Sequence, residues 1–393
     1  MSVSTSECNS DRGNEDSLSS VSSLEDEVKF EYIGEVLEHR YLVLDYLDNG
    51  TFCRVYMAYD IQVNKYCAIK VLNYDNTTEG QLECSFLYRT NNCKNIIKIY
   101  DSFSRDSSFF LVLELMGVAV IDLINRVDVN NNAHSVVVKK IVHDALNGIK
   151  ELNHHSLIHT DLKLENLMTN FFPERTKKII EIVDSLDIQE ARRVFYNGKI
   201  SCINSSWSRD ELGLFKSTLR EDFNKMAKKL VAHELKRYNL PEHNSVGDIS
   251  SITSDNLVCK IIDLGNAEEF DVLFGYNKGT IHIRCYRPPE NFKYNNFYVK
   301  SDIWTMGCLI YEMLFYDKLF DLEYSNKKDE YLDYINETVS NLEEIIRPEL
   351  EEINFRTNAE REYYFELLKN MLVVNYDKRW SVNDCLKSGL FKN

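Results

Sequence analysis

His159-Thr160-Asp161-Leu162-Lys163-Leu164-Glu165-Asn166, followed by the apolar pair Leu167-Met168, decides how this chain is read. An Asp, a Lys two residues on and an Asn five residues on converge on one small volume only from a tight loop, because on a strand or helix those offsets point in different directions. Such a loop suits phosphoryl transfer. The carboxylate accepts the proton of an attacking hydroxyl, the ammonium offsets charge on the moving phosphate, and the amide oxygen ligates a cation. His159, flanked by apolar residues, reads as a packed core imidazole and not as an acid or base.

The whole chain sets bounds on that reading. Its 393 residues fit two or so lobes, and 44% hydrophobic with 27% charged residues describe a globular protein. The 62 acidic and 46 basic side chains give a net charge of −16, which repels phosphate backbones and anionic lipid and favours a basic partner. Direct nucleic-acid or membrane binding is therefore not expected. Ten cysteines without a C-x-x-C pair point to reduced thiols in an intracellular compartment, nuclear or cytoplasmic. No cationic start followed by an apolar core marks a secretory signal. Residues 1–30, rich in serine and acids, are expected to form a disordered tail, a solvated terminus or a phosphorylation segment.

Compatible parts lie on either side of the loop. Tyr41 to Leu47 and Cys53-Arg54-Val55-Tyr56 read as two strands joined by a turn containing Asp48, Asn49, Gly50 and Thr51. Tyr66-Cys67-Ala68-Ile69-Lys70-Val71-Leu72 alternates like a strand carrying one cation. Glu79 to Tyr88 has helical spacing, with Leu82, Phe86 and Leu87 apolar. Phe109 to Glu114 reads as a buried strand running into Leu115-Met116-Gly117. Val136 to Asn153 is a long amphipathic helix. Further on, Asp263-Leu264-Gly265 offers a second carboxylate beside a glycine that permits a backbone turn. Lys300-Ser301-Asp302 opens an apolar helix, with Asp302 able to cap it.

In the loop and these flanking parts the chain resembles eukaryotic protein kinases, whose catalytic loop runs H-R-D-L-x-x-x-N and whose third strand carries V-A-I-K. The resemblance covers about residues 38–392 and implies an α+β bilobal fold. A small, mainly-β lobe with one main helix and the hinge occupies 38–117, and a larger, mainly-α lobe occupies 118–392. It implies ATP and Mg2+ as cofactors. Asp161 is then the residue that orients and deprotonates the hydroxyl, Lys163 neutralises the moving phosphate, and Asn166 and Asp263 ligate the metal. Lys70 grips the α- and β-phosphates, clamped by Glu83 or Glu79. Glu83 is preferred because Leu87 follows one turn later. Leu47, Asp48, Asn49, Gly50 and Thr51 cover the phosphates, although Gly50 is the one glycine kept of the family's three. Val55, Ala68 and Met168 line the adenine slot, Leu113 guards its back, and the Glu114 carbonyl and Met116 amide hold the adenine edge. Asp302 braces the catalytic loop through its backbone N–H groups, and Glu290 pairs with Arg379.

Between Met168 and Val258 no kinase signature appears. Roughly 85 residues are too many for one structureless loop, so about 171–256 is expected to be an insert. Asp210 to Tyr238 is its amphipathic surface helix, read either as a docking element or as a solvated insert. His159-Thr160-Asp161, Glu114-Leu115-Met116-Gly117 and Ile283-Arg284-Cys285-Tyr286-Arg287-Pro288-Pro289-Glu290 resemble the LAMMER, or CDC-like, kinases of the CMGC group. Asp263-Leu264-Gly265-Asn266-Ala267 and the insert resemble SR-protein kinases. The resemblance implies a monomeric serine/threonine kinase acting on basic, Arg/Ser-rich proteins such as splicing factors. Acidic clusters at Glu343-Glu344 and Glu349 to Glu352 are either arginine-binding or a solvated face. Ile283, standing where such kinases have a Thr, and the reduced glycine loop also fit a second class, a kinase fold acting as an inactive scaffold.

Overall fold

In the longer strands between residues 41 and 114, apolar and aromatic residues run nearly continuously, which suits a sheet covered on both faces. The computed structural model of the chain describes residues 32–49, 53–73, 77–127, 133–202, 206–242 and 252–392. The expected tail and the lid residues Gly50 and Thr51 lie outside the described residues. Strands β1 (Val36–Leu37), β2 (Tyr41–Asn49), β3 (Cys53–Asp60), β4 (Lys65–Leu72), β5 (Ile99–Arg105) and β6 (Ser108–Glu114) form one antiparallel sheet in the order β1-β2-β3-β4-β6-β5. Leu42, Met57, Ala68, Leu111 and Leu113 face the main core, whereas their neighbours Tyr41, Tyr56, Ile69 and Val112 build a second cluster on the other face.

Helix α1 (Thr77–Arg89) packs on this sheet through Gly80, Glu83, Cys84, Phe86 and Leu87. Leu82, expected among its apolar contacts, is 47% exposed. The second lobe is mainly helical. It begins with α2 (Val120–Ile124) and α3 (Ala133–His154) and continues through the short strands β7 (Leu157–Ile158), β8 (Leu167–Thr169) and β9 (Cys259–Ile261).

Three helices occupy the interval between β8 and β9: α4 (Glu174–Ser185), α5 (Ile188–Ile200) and α6 (Arg209–Arg237). Periodicity identified only the last. A capping box at Ser208 and Glu211 starts it, and the stripe Leu219, Phe223, Ala227 and Val231 is its buried face. Phe223 meets Phe195 and Tyr196 of α5, with ring centroids 5.6 and 5.9 Å away. The insert also reaches the small lobe. Arg175 of α4 makes a two-pronged ion pair with Asp45 of β2 at 2.6 and 3.0 Å, and the Tyr66 hydroxyl donates to Asp184 at 2.7 Å.

After β9 the chain forms β10 (Glu268–Glu269), which pairs with β7, and then β11 (Asn277–Lys278), paired with β12 (Asn296–Phe297). Helix α7 (Pro289–Tyr294) precedes α8 (Ser301–Phe315), which is buried along almost its full length and forms the axis of the second lobe. Helices α9 (Lys328–Ser340), α10 (Leu342–Glu352), α11 (Asn358–Met371) and α12 (Val382–Leu386) surround it. Glu290 at the start of α7 takes both ends of the Arg379 guanidinium at 2.9 and 2.8 Å, as expected, and their side chains are 4% and 0% exposed. Removing one partner of such a pair leaves an uncompensated buried charge. Arg379→Ala is therefore expected to lower the unfolding free energy by about 3–5 kcal/mol, read as a shift in urea midpoint at unchanged slope.

Candidate active site

Lys70 lies in β4 opposite Val55 of β3 and Leu111 of β6, so the sheet sets where its ammonium points. Its Nζ stands 2.9 and 2.8 Å from the two carboxylate oxygens of Glu83 and 2.8 Å from Asp263 Oδ1. Of the two acids on α1, Glu83 is the partner, and Glu79 is exposed. The reason is helical phase: Glu83 shares the buried face with Leu87, one turn away. Burial works against the Lys70 charge, but Glu83 and Asp263 outweigh it and hold the ammonium above its ordinary value. Burial also resists ionisation of Asp263, yet Lys70 prevails and the carboxyl sits below its usual range. For Glu83, burial pushes the carboxyl up and Lys70 pulls it back.

The loop after β7 gathers the second set. Lys163 Nζ lies 3.0 Å from Asp161 Oδ2. The Asn166 amide donates to the Asp161 carbonyl at 2.8 Å and approaches Asp161 Oδ2 at 3.3 Å. Asn266 reaches the same carboxylate oxygen at 3.5 Å. Asp302, fully buried in α8, accepts the His159 and Thr160 amides at 2.8 and 3.2 Å, the bracing contact anticipated from its position. His159 is a core imidazole, with Nε2 3.0 Å from the Ile262 carbonyl.

Pairing of β8 with β9, extended by Ile262 N–H donating to the Asn166 carbonyl at 3.0 Å, brings Asp263 beside this loop. Lys163 and His159 are near enough to add to the forces holding Asp263 ionised. The glycine assignment at this turn needs correcting. The left-handed residue is Asp263 itself, at φ +61°, and Gly265 is not left-handed. The turn that aims the carboxylate is made by the Asp.

Asn166 spends its amide nitrogen on Asp161, its side-chain oxygen takes no hydrogen bond from the described residues, and Asp263 has one carboxylate oxygen on Lys70. Among the described residues no group of three or more His, Cys, Asp or Glu is arranged to hold a metal by itself. Two oxygen donors completed by phosphate oxygens and water suit a hard divalent cation of the Mg2+ type, so the residues present fit that ion.

Most of the residues expected to line the adenine slot pack on one core. Ala68 pairs with Leu113, and Ala68, Leu113 and Met116 are buried in the main core, against which Leu47, Val55 and Met168 pack half-buried. Met168 bridges to Ala119 just beyond the hinge. A Cβ at Gly117 would collide with the Phe171 carbonyl, so the chain leaves the hinge through a position only glycine fits. Asp48 and Asn49, at the end of β2, are exposed, and Asp48 accepts the Asn49 amide at 2.7 Å.

Sequence reasoning missed the partner of the Glu114 side chain. It is Lys260, buried in β9, at 2.6 Å. A lone Lys in an apolar strand was the available signal. Burial raises the Asp122 carboxyl; Arg126 opposes that rise, and the charges of Asp48 and Glu165 add to it. Glu343, by contrast, is taken by Arg347 at 2.8 Å and Lys369 at 3.4 Å, which favours the solvated-face account of that cluster. Ile283 is 41% exposed. With no hydroxyl at that position, Asp161 is oriented by Lys163, Asn166 and Asn266.

The chain is 24% identical over 372 residues to protein kinase dsk1 of Schizosaccharomyces pombe, covering 79% of this chain and 68% of dsk1. It is 27% identical over 165 residues to the serine/threonine-protein kinase ppk15 of the same yeast, covering 40% of this chain and 30% of ppk15. It is also 23% identical over 292 residues to the serine/threonine-protein kinase Doa of Drosophila melanogaster, covering 72% of this chain and 26% of Doa. The chain thus spans about a third or less of the length of ppk15 and Doa. A crystal structure of a kinase domain superposes with a TM-score of 0.57 at 18% identity, over 91% of this chain and 97% of that one, a likeness of fold. The described residues contain no helix long and apolar enough to cross a membrane. A family model described as the protein kinase domain matches residues 41–184 and 228–391, and the chain belongs to that family.

Proposed function

We propose that this chain transfers the γ-phosphoryl group of ATP to serine or threonine hydroxyls of basic, Arg/Ser-rich proteins such as splicing factors. It would act as a monomeric CMGC-group kinase of LAMMER or SR-protein kinase type, in the nucleus, the cytoplasm or both. The observation that carries this reading is the convergence of two sets of side chains, Glu83–Lys70–Asp263 and Asp161–Lys163–Asn166, at one cleft beside the sheet. An inactive scaffold has no chemical need for either.

In this reading Asp161 accepts a hydrogen bond from the substrate hydroxyl, orients its oxygen for in-line attack and takes its proton. Lys163, already 3.0 Å from that carboxylate, shifts its charge toward the phosphoryl oxygens as they move. Lys70, fixed by Glu83, holds the α- and β-phosphates so that the γ-phosphate faces Asp161. Asn166 and Asp263 would hold Mg2+, which supplies charge neutralisation across the phosphates. The carboxylates of Asp48, Asp122 and Glu165 and the net charge of −16 favour a substrate with cationic residues near the phosphorylated position.

Scaffold and enzyme part on a direct assay. Wild-type protein with radiolabelled ATP is expected to label Arg/Ser-rich peptides well and acidic peptides poorly, and equal labelling of both would refute the substrate class. Asp161→Ala is expected to lower kcat by about 10²–10⁴-fold with little change in nucleotide affinity. No labelling by wild type, or equal labelling by wild type and variant, would leave the scaffold reading. Thr160 has no guanidinium with which to grip a phosphate, so phosphatase-treated enzyme is expected to keep its rate.

A further inference from the structure

The mechanism above gives no task to the buried imidazole of His282. His282 lies in the segment between β11 and α7, with a left-handed backbone at φ +53° and a ring shielded from solvent. Its Nε2 is 3.2 Å from Asp302 Oδ1 without the alignment of a hydrogen bond, and among the described residues its Nδ1 has no hydrogen-bond partner. The same Asp302 carboxylate receives the amides of His159 and Thr160. Burial opposes its ionisation, but His282, His159 and the backbone donors outweigh it and keep the carboxyl below its usual range.

The main chain repeats the connection. His282 N–H donates to the Thr160 carbonyl at 2.8 Å. Its own carbonyl, and that of Ile281, accept from the Arg287 guanidinium at 2.9 Å each. Thr160 is left-handed too, at φ +65°, and its hydroxyl donates to the Asn266 carbonyl at 2.5 Å. Two such residues in direct contact persist only where the surroundings over-determine them. The residue immediately before Asp161 is thus held by its amide, its carbonyl and its hydroxyl, and two of those three ties come from the segment that carries Asn266 and His282.

We propose that His282 is a positioning residue for the catalytic loop, its ring fixing the Asp302 carboxylate that orients His159, Thr160 and hence Asp161, so that the segment is tied to the loop without a phosphate. This rests on the kinase reading. It adds a residue-specific device for the phosphate-independent geometry that Thr160 implies.

The test compares wild type, His282→Ala, His282→Gln and His282→Asn in the full chain. Ala and Gln carry similar strain at this left-handed position, and Asn, which tolerates it better, carries less, so impairment of Asn with retention by Gln reports on the ring and not on the backbone. A glutamine amide nitrogen reaches the place of Nε2, and an asparagine falls short of it. His282→Ala and His282→Asn are expected to lower kcat about tenfold or more at unchanged KM for ATP, with His282→Gln retaining most of the rate. Hydrogen exchange at the His159 and Thr160 amides should accelerate in the same order. If the first two variants match wild type in both readouts per folded molecule, or if Gln is as impaired as Asn, the proposal is overturned. Should the Ala variant fail to fold, the Gln–Asn pair decides. Exchange does not need turnover, so a wild-type protein with no transferase activity would sink the kinase reading while the exchange order still judges the positioning role.

Discussion

A single ammonium held between two carboxylates from distant parts of the chain is the interaction on which the site depends. Lys70 comes from the sheet, Glu83 from α1 and Asp263 from the turn after β9, with every separation at 2.8–2.9 Å. Taking three charges out of water is costly, and the arrangement is tolerable only when all three are present and aligned. The pair of contacts therefore selects one placement of α1 against the sheet and one placement of the Asp263 turn beneath it. Moving either would strand a buried charge.

Similar logic recurs deeper in the second lobe. Asp302 collects the amides of the catalytic loop from inside α8, Glu290 clamps Arg379, and Lys260 satisfies Glu114 behind the hinge. Each tie joins segments far apart in sequence, and each is buried enough that losing one partner costs more than the pair gains relative to an apolar substitute. The insert works differently. Arg175, Tyr66 and Asp184 lie at its margin with the small lobe, and Arg192 donates to the Ile61 carbonyl at 3.1 Å. Helices α4 and α5 are thus fastened to the small lobe.

Around Asp161 the chain reaches an ordered geometry from an unusual set of residues. Ile283 brings no hydroxyl and Thr160 no guanidinium, yet the carboxylate is met by Lys163, Asn166 and Asn266, and the backbone before it is tied to Asp302, Asn266 and His282. Preorganised charges of this kind favour phosphoryl transfer because they need not rearrange as the phosphate moves.

Local pattern alone carried much of this. Strand pattern marked β2, β3, β4 and β6, helical spacing marked α1, α3 and α6, and the offsets of Asp161, Lys163 and Asn166 required a loop that gathers them. Those features depend on neighbours a few residues apart, so they are written in the linear sequence. Tertiary structure decided what such neighbours leave undetermined. Glu79 and Glu83 are one helical turn apart, and only packing of α1 excluded the first. Helices α4 and α5 are amphipathic in sequence, yet only the fold shows what secures them, partners such as Asp45 and Phe223. The turn at Asp263 is left-handed at the Asp itself, whose carboxylate is met by Lys70 from the other lobe. In each case the choice rests on which polar groups the fold removes from water together, a property of the assembled molecule and not of any stretch of its chain.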